Sequence, residues 1–148
     1  MPKEIHNKVD LAVKQLETSL SLFLEGTNYA SALTLAGAAE EILGMAVKIK
    51  GIENSLQESY RIYNDPDLKW LSPSRTWSEF TTQGKNKVRN AVKHLSGAND
   101  LTFEGDIAAD EALWMLVRAI DNYERLGFGP TELMHKFEEW FYTNVVGI

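Results

Sequence analysis

The stretch "YASALTLAGAAEEILGMAVKIK", Tyr29 to Lys50, decides the fold. Its apolar positions fall at helical spacing, with Ala32, Ala36, Ala39, Leu43 and Ala46 on one stripe. That stripe is built mainly from small side chains, so a neighbouring helix can approach closely. Gly51 ends the segment. Working outward, the same period recurs on both sides. Upstream, Pro2 to Glu25 reads as a helix with Ile5, Val9, Ala12, Leu16, Leu20 and Phe23 on its inner face, closed by Gly26 in "EGTNY". Downstream, a shorter helix covers Glu53 to Tyr63, followed by the loop "NDPDLKWLSPS" marked by Pro66 and Pro73. A fourth helix begins between Ser74 and Trp77, breaks or kinks at Gly84, and ends near Leu95 before "SGAND". Asp106 is the expected N-cap of a fifth, running to Leu126. "GFGPT" opens the last, with Leu133, Phe137, Trp140 and Phe141 on one side. No run alternates as a strand would, and no repeat is visible. Short links between amphipathic helices predict an all-α fold, an antiparallel bundle of four to six helices in a single domain over residues 1–148.

Composition narrows the class. A hydrophobic content of 44% with 24% charged residues is that of a soluble globular protein. The absence of cysteine excludes disulfides and thiolate metal sites. The N-terminal "MPKEIHNKVD" lacks the apolar core of a signal peptide, and no apolar run approaches the roughly 18 residues of a membrane span. The expectation is a cytoplasmic protein with no membrane association. The net charge of −6 speaks against indiscriminate grip on nucleic acid. That charge is unevenly spread, however. Between Phe80 and Asn99 stand Lys85, Lys87, Arg89 and Lys93, and no acid. An anionic ligand would find one place to sit.

Inside that basic segment is "RNAVKH", Arg89 to His94. On a helix, Val88, Ala91, Val92 and Leu95 make the core-facing stripe. His94 lies beside it, with Asn90 one turn below at hydrogen-bonding reach. Arg89 falls on the opposite flank, roughly 140° from His94 at 100° per residue. One straight helix therefore cannot set the two side by side. Two copies crossing on a two-fold axis would gather two arginines and two histidines in one cleft. Such a cleft suits cleavage of an RNA strand without metal or cofactor. Histidine can take or give a proton near neutral pH, and arginine forks onto phosphate oxygens.

The Arg-x4-His spacing with Asn after the Arg, late in a helix of an all-helical chain, resembles the HEPN superfamily of compact helical bundles. The helix order around the motif is also similar to that family. The resemblance implies Arg89 and His94 as a catalytic pair, Asn90 as their polar companion, and a site shared across a homodimer. It implies metal-independent endoribonuclease activity of the kind found in toxin–antitoxin and defence systems, with any antitoxin-type partner a separate protein. The family also has members without shown activity, and so the alternative is a non-catalytic module binding a nucleotide, RNA or protein. A third reading is a purely structural bundle.

Around the motif, Lys85, Lys87 and Lys93 read either as a solvated face or as phosphate attractors. Glu40 lies beside the apolar stripe of its helix, whereas Glu41 points away; a carboxylate near the core wants a partner, and Arg89 or His94 could be one. Glu132 and His135 form a lone Glu-x-x-His, too little for a di-iron centre. His6 reads as incidental. The four tryptophans read as core rather than ligand platform, and the greasy C-terminus of Trp140, Phe141, Val145, Val146 and Ile148 as closing the core.

Overall fold

The computed structural model describes residues 1–68 and 73–148, with no account of the side chains of Ala108 and Ala109. Residues 69–72 of the expected proline-marked loop lie outside the described residues, and Trp70 with them. The fold is all-α. Its helices are α1 (Lys8–Glu25), α2 (Tyr29–Ile49), α3 (Ser55–Tyr63), α4 (Trp77–Phe80), α5 (Lys87–Lys93), α6 (Ala112–Arg125) and α7 (Glu132–Phe141). Among the described residues there are seven α-helical pieces rather than four to six helices, because the fourth is split. Its middle, Thr81–Lys85, widens to a π-helix around Gly84, and Asn86 donates its backbone N–H to the Thr81 carbonyl at 2.8 Å.

The helix ends are set by local chemistry. Asn7, Asn28 and Asn54 each accept a backbone N–H from the first turn of α1, α2 and α3, and Gln57 returns a bond to the Asn54 backbone. Gly26 takes a left-handed φ of 69° and donates its N–H to Leu22 and Phe23, so α1 stops and the chain reverses into α2. The first helix therefore begins at Lys8 rather than Pro2, and Ile5 projects into solvent instead of packing. The fifth helix opens as a π-helical turn, Ile107–Glu111, before becoming α6.

α2 is the centre of the bundle. It packs on α1 along one side and on α6 along another. Ala32, Ala36 and Ala39 are fully buried, as are Leu33, Leu43 and Val47. The small side chains of the expected stripe let its neighbours close in, and the larger ones contribute about 1.5–3 kcal/mol each by leaving water. By length and composition α2 also qualifies as a membrane span, counter to the expectation that no segment does; half of that span is buried inside the bundle. α7 closes the far side. Phe23 meets Trp140 and Phe137 edge to face, with centroids 4.9 Å and 5.6 Å away. The aromatic half of the C-terminus thus seals the core as expected, whereas Val145, Val146 and Ile148 remain exposed. Trp77 and Trp114 are about half exposed (45% and 47%), so they are not core residues.

One polar residue ties three helices together. Asn122 of α6 is fully buried; its Oδ1 accepts the Ser55 N–H at 2.9 Å, and its Nδ2 donates to the Glu40 carbonyl at 3.4 Å. Replacing it with alanine strands the Ser55 donor in the interior. The expected loss is about 2–3 kcal/mol of unfolding free energy, read from the urea midpoint at unchanged slope.

Candidate functional site

The basic segment is presented by the π-helical turn Thr81–Lys85 and by α5, which lies against α2. Arg89 does not reach outward from α5. It lies along α2 directly over Gly37, where a Cβ would come within 2.5 Å of its Cδ. Only glycine leaves room for the guanidinium to pass. Beyond Gly37, Arg89 Nη1 stands 3.5 Å from Glu40 Oε2. The other carboxylate oxygen, Oε1, is 2.9 Å from Arg118 Nη2 of α6. Arg118 in turn donates through Nη1 to Asn86 Oδ1 at 3.0 Å. All of these side chains are withdrawn from water: Glu40 is 6% exposed, Arg118 10% and Arg89 12%. Two guanidiniums share one carboxylate, so the buried cluster carries a net positive charge. Among the described residues Arg118 Nε has no hydrogen-bond partner, and its Nη2 meets Glu40 by charge rather than by an aligned hydrogen bond.

Glu40 was expected to seek Arg89 or His94, and Arg89 is its partner. Asn90 departs from expectation. Its Oδ1 accepts long bonds from Arg89 Nε and Nη2, at 3.4 Å and 3.3 Å, and not from the His94 ring. The reason lies in the backbone. α5 ends at Lys93, and His94, at φ −125° and ψ 144°, is already extended; only its N–H still reaches the Asn90 carbonyl, at 3.0 Å. Asp100 pulls the chain away by accepting the Ser96 N–H at 3.0 Å. Leu95 consequently leaves the apolar stripe and is 67% exposed, while Val88 stays buried and Val92 packs on the core. His94 is exposed, as are Lys85, Lys87 and Lys93. No hydrogen bond or ion pair joins Arg89 to His94 among the described residues.

Sequence reasoning missed Arg118 and Asn86. Arg118 and Asn122 stand one turn apart on the apolar face of α6, beside Met115 and Ala119. A base and an amide on a buried stripe was the available signal. Close by, burial and the neighbouring Asp110 raise the Glu111 carboxyl from its ordinary value, with Lys85 and Arg118 acting in the opposite sense. Glu132 pairs with Lys136, and His135 lies against Glu138, so the Glu-x-x-His is spent on surface contacts. Among the described residues no group of three or more His, Asp or Glu side chains is placed to hold a metal ion. No protein-family model, curated protein or solved structure matches the chain.

Proposed function

We propose that the chain is a HEPN-like module that acts on RNA as a homodimer, with α5 and its C-terminal end lining the seam. The observation that carries this reading is the division of labour at the motif. Arg89 is fixed from beneath by Glu40, Asn90 and the Gly37 groove, whereas His94 stands free of the helix in solvent on the same acid-free segment. A fixed cation and an exposed imidazole are what strand cleavage requires. One imidazole takes the proton from the 2′-hydroxyl, whose oxygen attacks the phosphorus. The guanidinium holds the charge gathered on the non-bridging oxygens. A protonated imidazole, from the second copy, gives its proton to the departing 5′ oxygen. The products are a cyclic phosphate and a 5′-hydroxyl, with no metal in the balance. Lys85, Lys87 and Lys93 would draw the strand to the seam.

Unstructured RNA incubated with the purified protein in EDTA is the test. Cleavage leaving cyclic phosphate ends is the expected result; intact RNA across a range of salt concentrations would leave the second reading. That reading is a non-catalytic RNA- or nucleotide-binding module, and one observation favours it: Glu40 and Asn90 already occupy much of the Arg89 guanidinium. Binding would then rest on the exposed lysines, without turnover.

A further inference from the structure

Only half of the apolar span of α2 is buried inside the bundle. The buried arc runs through Ala36, Leu43 and Val47. The open side carries a second apolar stripe of Leu35, Ala38, Ile42, Met45 and Ile49. Leu35, Ala38 and Ile42 are half-buried, while Met45 is 54% and Ile49 80% exposed. The steps along this stripe alternate between three and four residues, the a and d positions of a heptad. That is the narrow seam by which two helices pair, not the broad face that packs on a core. The charges beside it are equally specific. Glu41 and Lys48 are exposed and follow one another along a single flank, both at position g when Leu35, Ile42 and Ile49 are a. Neither side chain is ion-paired among the described residues.

We propose that this face of α2 is the contact between two copies of the chain, with the two α2 helices antiparallel across a two-fold axis. An antiparallel pair sets each a position against a d position of the other helix. With Ile42 against Met45 of the second copy, Ala38 meets Ile49, and the axis passes between Ile42 and Met45. In that register Glu41 of each copy comes beside Lys48 of the other, twice by symmetry. Sliding one helix by a heptad sets Glu41 against its own copy in one direction, and Lys48 against its own copy in the other. A parallel pair sets Glu41 beside Ala46, with no charge to meet. The flank is therefore complementary to itself in one orientation and one register, a pattern that a lipid surface does not need. Gly37, over which Arg89 lies, is within about 40° of Glu41 and Lys48 around the helix axis at 100° per residue. The two-fold axis consequently presents α5 of both copies on one face of the pair. The proposal shares a homodimer with the RNA reading but rests on α2 alone, and its test contains no RNA.

The experiment is sedimentation equilibrium of the intact protein at low salt, from about 1 to 200 µM. A dimer with a Kd on the order of 10 µM is expected, since one helix pair is a small contact. Met45→Glu, at an exposed position, should weaken association more than about tenfold and leave the circular dichroism spectrum unchanged. Glu41→Lys and Lys48→Glu each bring like charges together twice, and each should weaken it by roughly fivefold to twentyfold. A one-to-one mixture of those two variants recovers both attractive pairs, so it should associate at least as tightly as the unaltered chain. The proposal is overturned by a monomer across the whole range, including one that binds lipid vesicles instead. Undiminished association of Met45→Glu overturns it too, as does a mixture no tighter than either charge variant alone. A dimer that obeys these rules while RNA stays intact upholds the α2 contact and removes the nuclease. RNA cleavage by a protein whose association ignores Met45→Glu does the reverse.

Discussion

Glu40→Ala is expected to lower the unfolding free energy by about 3–5 kcal/mol, the loss seen when one partner of a buried ion pair is removed. The carboxylate is 6% exposed and stands between the guanidiniums of Arg89 and Arg118. Without it, two cations remain side by side in a region of low dielectric, and each loses the carboxylate it is paired with. Asn86 and Asn90 supply amide oxygens to the two arginines, but an amide carries no countercharge. For a chain of this length the melting temperature should fall by roughly 10 °C. The same logic predicts a rescue. Arg89→Met and Arg118→Met, added to Glu40→Ala, remove all the charges while keeping much of the volume, and most of the lost stability should return. Urea denaturation of the single and triple variants decides the matter. A loss under about 1 kcal/mol for Glu40→Ala, or a triple variant less stable than the single, would mean that the cluster is not held by its charges.

Much of this bundle was legible because its helices announce themselves by spacing. The alanine stripe of α2 and the leucine stripe of α1 are the core. Gly84 marks the place where the fourth helix changes its winding. The errors sit where a local bond overrules the period. Ile5 fits the α1 pattern, yet the Asn7 side chain accepts the Asp10 N–H and starts the helix beyond it. Leu95 and His94 fit the α5 pattern, yet the helix ends at Lys93 before the turn in which Asp100 accepts the Ser96 N–H, and Asn90 meets arginine rather than histidine. At the site, Glu40 was readable from one helix because its oddity is local, a carboxylate at the edge of an apolar stripe. Arg118 was not. Its meaning depends on α6 lying beside α2, a relation between segments far apart in sequence. Gly37 is similar: it reads as one more small residue of α2 until the Arg89 side chain is seen to need its missing Cβ.

Under the proposed RNA-cleaving reading, His94→Ala is expected to have the largest functional effect, a loss of cleavage of about 10²–10⁴-fold, the range contributed by a positioned proton-transfer group. The substitution is informative because the residue is exposed and lies past the end of α5. Its removal should change stability by less than about 0.5 kcal/mol, so lost cleavage cannot be charged to unfolding. Arg89→Ala lacks that clarity, since it also dismantles one side of the buried cluster. A sharper form of the experiment uses the proposed two-fold arrangement. Two copies joined in tandem, with only one carrying His94→Ala, separate two designs. If each cleavage event takes its base from one copy and its acid from the other, a single substitution silences the tandem nearly as fully as two. If each copy holds a complete site, half the activity survives. The first outcome is the one the proposed two-copy site predicts, with Arg89 held against Glu40 and His94 past the end of α5. Undiminished cleavage by a tandem lacking both histidines would place the chemistry elsewhere and remove His94 from the mechanism altogether.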